Sequence, residues 1–325
     1  MEHAPELQTE NQTKHHLPGW QRPVAIGAAF LAMGAGYKTL SDKSGEVTVQ
    51  QPAIELEANI DSHFNIVNLN SHKHIMRNTA ELEEIMQDAD ADAVMLQEVM
   101  TKDASRLANR FPTWYVSHVI GERLLQQPES GGYGNVIMTR QKPTDIKSRS
   151  IKVNPITDKI RNAAVEVLDN VARADMPIPN FDRLFEERRA TLAMTNKVLT
   201  GNNTLKDIRI MTTHISGVEP VASQQMDVIE EEVTNEIKKG RPLVLCADLN
   251  KIPSVVKPRF EKLGFTIPPT KYTIRKSKVV IDYCMYRTEG VLGKAEVKTG
   301  FSDMSDHNRL VARFSASLGR LAGLQ

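Results

Sequence analysis
Cysteine is almost missing from this chain: 325 residues carry two, Cys246 and Cys284. Both lie in apolar, strand-like runs, where free buried thiols are expected rather than a disulfide. No Cys-His zinc spacing exists, and cysteine does not decide the compartment. An excess of either charge is missing too. Lys and Arg number 41 against 40 Asp and Glu, a net charge of +1. That removes any global attraction to a polyanion, so affinity for nucleic acid or anionic lipid must come from local patches. No apolar run reaches the roughly 20 residues of a spanning helix. The most apolar run, 24–36, is uncharged for 13 residues between Arg22 and Lys38. It suits a signal-peptide core, with small residues for cleavage at Leu31-Ala32-Met33-Gly34-Ala35. Trp20 and Tyr37 would mark the interfaces of a short anchor. Export or membrane association through residues 24–36 is therefore expected, with a cytoplasmic protein as the alternative. No internal repeat is present.

What is there divides in two. Residues 1–60 read as a polar tail, the apolar run and a polar linker over Thr39 to Asn59. Residues 61–318 read as one domain, with an insertion at about 141–187 that would pack beside the site. Alternation predicts a strand over Phe64 to Asn70, and helical spacing predicts a helix from about Met76 to Met86. Ala93 to Leu96 and Thr113 to Val119 read as strands, with a helix over Asp103 to Arg110 between them. Gly131 to Asn135 reads as a turn feeding the strand Val136 to Thr139. Further strands are expected at Arg188–Thr195, Ile208–Thr212, Pro242–Ala247, Val279–Tyr286 and Arg309–Phe314, with helices at Val221–Ile237 and Val255–Leu263. Strands outnumber helices without strict β-α alternation, which predicts antiparallel or mixed sheets with helices outside.

Three apolar strands run into polar groups, Gln97-Glu98, Asp248-Leu249-Asn250 and Ile281-Asp282-Tyr283, and a fourth group, Ser305-Asp306-His307, sits just ahead of the apolar run Leu310-Val311-Ala312. Groups at strand ends can converge on one crevice although distant in sequence. Together they suit phosphodiester hydrolysis, which needs a cation on the phosphoryl oxygens, a base for water and donors for the developing anion. Glu98 is the leading candidate metal ligand, with Asn70 beside it and Asp306 a possible third. Asp282 can orient the imidazole of His307. Asp248 can position water, and Asn250, His214 and Asn70 can donate to phosphate oxygens.

In this order the motifs resemble the endonuclease/exonuclease/phosphatase superfamily, which includes deoxyribonuclease I. They are Ile66-Val67-Asn68-Leu69-Asn70, Leu96-Gln97-Glu98-Val99, Gly134-Asn135-Val136-Ile137-Met138-Thr139-Arg140, Arg188-Arg189-Ala190, Thr213-His214-Ile215, Ala247-Asp248-Leu249-Asn250, Ile281-Asp282-Tyr283 and Ser305-Asp306-His307. The resemblance implies an α/β fold: a four-layer α/β sandwich of two packed, mixed or antiparallel sheets flanked by helices. It implies Mg²⁺, with Mn²⁺ as a substitute, held chiefly by Glu98. It also implies that Asp282 orients His307, that Asp248 positions or deprotonates water, and that Asn250 and His214 hold the scissile phosphate. Either Asp248 or His307 could be the base. Asn135, Tyr133 and Arg189 are candidate substrate contacts, although Tyr133 and Arg189 could equally serve the core. The chain departs from the pattern at Ala247, Leu249 and Leu69. Ser71-His72-Lys73-His74 after Asn70 argues against an abasic endonuclease, and Val280-Ile281-Asp282-Tyr283-Cys284 against a phosphoinositide phosphatase.

A nucleic-acid phosphodiester is the expected substrate. Basic stretches support it: Lys271, Arg275, Lys276 and Lys278, with Lys257 and Arg259, and Lys147, Arg149 and Lys152. A lipid or small-molecule phosphodiester is the alternative, and a non-catalytic binding protein the third reading. No obligate protein partner is implied.

Overall fold
The computed structural model describes residues 47–51, 63–72, 75–122, 132–151, 189–200, 204–219 and 221–316. The apolar run 24–36 and most of the expected insertion lie outside them. Seven strands form one sheet: β1 (Val47–Gln50), β2 (His63–Asn70), β3 (Ala93–Met100), β4 (Tyr115–Glu122), β5 (Tyr133–Thr139), β11 (Leu292–Gly300) and β12 (Arg309–Ala316). Five form the other: β6 (Thr144–Ile151), β7 (Arg189–Leu199), β8 (Leu205–His214), β9 (Leu243–Asp248) and β10 (Asp282–Arg287). Their orders are β1-β4-β5-β3-β2-β12-β11 and β10-β9-β8-β7-β6. Both sheets are mixed, with one parallel pair each, β2–β3 and β8–β9.

Alternation builds the layers. Phe64 and Ile66 of β2 face the second sheet, while Val67 and Leu69 face helices, because successive strand residues point to opposite sides. The second sheet meets the first with Ala190, Leu192, Met194, Ile208, Ile210 and Val244. Outside the first sheet lie α1 (Thr79–Asp88) and α2 (Thr101–Arg110). Asn78 starts α1, its side chain accepting from the Glu81 amide while donating to the Glu81 carboxylate at 2.7 Å. Leu82, Ile85 and Met86 then fall on one buried face. Outside the second sheet lie α3 (Val221–Lys238), buried through Met226, Ile229 and Val233, and α4 (Pro253–Glu261), which begins on a proline. Helices, sheet, sheet and helices make the four expected layers.

Four local expectations change. Val47–Gln50, read as linker, is an edge strand paired with β4. Thr144–Ile151, read as insertion, is the opposite edge strand of the second sheet. The Gly131–Asn135 turn is shorter than expected, since β5 already begins at Tyr133. Cys246 and Cys284, read as free thiols, are disulfide-bonded. They face each other in the β9–β10 register, a proximity set by strand pairing that neither local sequence reveals.

Candidate active site
The site forms where the central strands of both sheets end on the same side. Asn70 closes β2, His214 closes β8, Asp248 closes β9, Asp282 opens β10, and His307 precedes β12. In the β9–β10 pairing Asp248 lies directly opposite Asp282. His307 Nδ1 is 2.9 Å from Asp282 Oδ2, and its Nε2 is 3.9 Å from Asp248 Oδ2. Two N–H groups aim at Asp248: Asn70 Nδ2 at 2.9 Å and the Asn250 amide at 3.0 Å. Thr273, fully buried, receives the Ile281 and Asp282 amides on its hydroxyl and so fixes the entry to β10.

Glu98 reaches the site through a β-bulge. Leu96 pairs with Val136 and Val99 with Gly134, so Gln97 and Glu98 together oppose Asn135. Both therefore point inward. Gln97 Nε2 spans the sheets, donating to Asn68 Oδ1 at 2.8 Å and to Thr212 Oγ1 at 2.7 Å. Glu98 receives Asn70 Nδ2 at 3.3 Å and stands 3.8 Å from His214 Nδ1. Glu98 (φ 56°), Asn250 (φ 47°) and His72 (φ 46°) all adopt the left-handed region. Such backbone costs of order 1–3 kcal/mol for a residue with a Cβ and collects at functional sites.

Electrostatics follow from this crowding. Burial, then the Asp282 charge, pushes Asp248 up to about 7 despite the opposing effects of His307, Asn70 and the Asn250 amide. Burial alone would lower His307, but the hydrogen bond and charge of Asp282, aided by Asp248 and Asp306, raise it to about 9. Among the described residues no Lys or Arg pairs with Glu98, Asp248 or Asp282. Asp282 Oδ1 is buried without a hydrogen-bond partner. Three clustered carboxylates with one imidazole between them and no Lys or Arg paired to them among the described residues, one with an orphaned oxygen, fit a hard divalent cation. Oxygens of Asp248 and Asp282 and a nitrogen of His307 also lie within 4.8 Å of one another, close enough to share an ion. There, however, the Nδ1 of His307 is already taken by Asp282.

The remaining candidates differ in their company. His214 is bracketed by Arg189 Nη1 at 3.1 Å from Nδ1 and by Asn250 Nδ2 at 3.1 Å from Nε2. The Arg189 guanidinium also lies 5.6 Å from the Tyr133 ring centroid, and both residues are buried. Asn135, a candidate substrate contact, donates instead to the Ala190 carbonyl at 2.7 Å and ties the sheets together. Asp306 is half exposed, 3.5 Å from His72 Nδ1. The basic stretches thin out: Arg259 pairs with Asp227 and Glu230, Arg149 with Glu231 and Lys147 with Asp145, while Lys271, Lys276 and Lys278 are exposed. Sequence reasoning missed Thr273, nine residues before Asp282 in a loop with no local signal. It missed His72 as a neighbour of Asp306 although the Ser71-His72 run was visible.

Solved structures share this fold. The human Nocturnin catalytic domain with bound sulfate anion matches with a TM-score of 0.53 at 17% identity, covering 83% of this chain and 97% of that one. D. rerio TDP2 complexed with single strand DNA product matches at 0.53 and 15%, over 78% and 100%. A mannosyl-6-phosphatase of Bacteroides thetaiotaomicron matches at 0.52 and 12%, over 77% and 99%. No curated sequence matches. The family model described as Endonuclease/Exonuclease/phosphatase family matches residues 66–307, from the strand that ends on Asn70 to His307 itself, and the chain belongs to that family.

Proposed function
We propose that this phosphoesterase hydrolyses a phosphodiester of nucleic acid with Mg²⁺ as its resident ion, Mn²⁺ serving as substitute. The observation that carries the reading is the Asp248–His307–Asp282 constellation, with Glu98 and Asn70 beside it. Glu98 would hold the ion, with Asn70 and Asp306 assisting. When bound, the ion neutralises charge on the phosphoryl oxygens. Asp282 fixes the imidazole through Nδ1 and leaves Nε2 turned towards Asp248. Asp248, held by two N–H groups, takes the proton of the attacking water. His307 presents Nε2 to the oxygen on which charge develops, and its partner carboxylate stabilises the imidazolium. Asn250 and His214, joined at 3.1 Å, supply further donors to the phosphate.

The single strand DNA product held by the TDP2 relative supports a nucleic-acid substrate. A lipid phosphodiester is the second reading, favoured by the exposed Ile252 and Val255 just past Asn250. Turnover of plasmid, single-stranded DNA, sphingomyelin and bis-p-nitrophenyl phosphate, with and without EDTA, tests the two. The expected result is salt-sensitive DNA cleavage that EDTA abolishes and Mg²⁺ restores. Sphingomyelin turnover without DNA cleavage would overturn it.

A further inference from the structure
Phe301 is the most exposed large apolar side chain among the described residues, at 60%. It is nevertheless held in place. The guanidinium of Arg275 lies 4.4 Å from its ring centroid. Arg275 in turn is pinned to the loop that delivers His307. Its side chain donates to the Ser305 carbonyl, its backbone amide to the Asp306 carbonyl at 3.3 Å, and it faces Asp303 at 3.8 Å. Ile274 bridges to His307 itself. Ser305 is two residues from His307, at most about 7 Å of chain. One face of the Phe301 ring is thus backed by a cation that is itself tied to the loop carrying His307, and the ring is otherwise largely exposed. On the loop that carries Arg275, Tyr272 is 44% exposed and Lys271, Lys276 and Lys278 are exposed.

A braced ring, with exposed lysines on the loop that braces it, matches a base and its phosphates: the ring offers stacking and the ammonium groups meet the backbone. We propose that Phe301, backed by Arg275, stacks on a nucleobase flanking the scissile phosphate. A base inside a duplex has both faces covered by its neighbours, so this subsite takes an unpaired strand. The inference rests on the nucleic-acid reading above.

The test uses the full chain with Mg²⁺ and two single-stranded oligonucleotides, one normal and one with abasic residues flanking the cleaved bond. The readout is the ratio of their kcat/KM values, from which any general loss of activity in a variant cancels. The wild type is expected to favour the base-bearing strand by roughly tenfold. Phe301→Ala and Phe301→Leu should bring the ratio close to one, and Phe301→Trp should keep it. A ratio retained in Phe301→Leu would mean apolar cover without stacking and would overturn the proposal. So would a wild-type ratio of one, with the nucleic-acid reading left standing. Hydrolysis of bis-p-nitrophenyl phosphate with neither strand cut would remove that reading itself. Binding to sphingomyelin vesicles that Phe301→Ala abolishes would make the ring a lipid contact instead.

Discussion

His307 lies 2.9 Å from Asp282 through Nδ1 and 3.9 Å from Asp248 through Nε2. His307→Ala removes the imidazole and should lower kcat on bis-p-nitrophenyl phosphate by about a thousandfold or more. Asp282→Asn keeps the shape but gives up the charge that holds His307 up. Its pH-rate profile should lose activity at the alkaline end first, because the raised imidazole pKa falls back towards 6.5. His118 provides a different pH effect. Burial pushes it down to about 4, against a backbone hydrogen bond to Val99 that raises it. The unfolded chain takes up that proton near pH 6.5 and the folded chain only near 4. Stability is therefore fully present above pH 6.5, is lost as pH falls to about 4, and levels off below. The loss amounts to roughly 3 kcal/mol. Urea midpoints at pH 7, 5.5 and 4.5 should show this slope in the wild type and a shallower one in His118→Gln. At this scale the sequence was most legible where a polar residue flanks an apolar strand, as Asp248 does at the end of β9 and His307 just ahead of β12. It was least legible where a polar residue serves the interior, as with Asn135 and Thr273, because nothing local separates a buried amide or hydroxyl from a functional one.

Strands and helices followed from period and turn residues. Edges did not, because an edge strand has one partner and weak burial. β1 reads as linker and β6 as insertion for that reason: of their twelve residues only Ile151 is buried. Irregular pairing was equally hidden. β3 carries one bulge and β4 another, and Gly134 of β5 lies between them. A Cβ on Gly134 would come 1.8 Å from the Val119 carbonyl oxygen, and the obstacle is backbone, which cannot swing aside. Gly134→Ala should force β4 from β5 and cost about 3 kcal/mol or more. Thermal unfolding measures this directly, and an unchanged midpoint would show that the strands are free to part there.

Neither sheet holds the whole site. Asn70, Glu98 and His307 come with the first, and His214, Asp248 and Asp282 with the second. Activity should therefore vanish over the same urea range as the far-UV circular dichroism signal. Loss of activity well before unfolding would mean the two sheets can slip apart while each stays folded. The Cys246–Cys284 bond lies one inward-facing pair behind Asp248 and Asp282, and joins residues 38 apart. Reduction with dithiothreitol should lower stability by about 3–4 kcal/mol through the freed loop, read as a fall in the urea midpoint. The sandwich was legible because eight short motifs kept their order. The pairing of acid against acid was not, since register is a property of two strands at once. The extra residue in β3 has a consequence of its own. Side chains along a strand alternate, so shortening the chain by one between Leu96 and Val99 would restore regular pairing and leave room for only one inward side chain where two now stand. Position 98 can be rewritten and the fold kept, but the stretch cannot be abbreviated without losing one of the two side chains it turns inward.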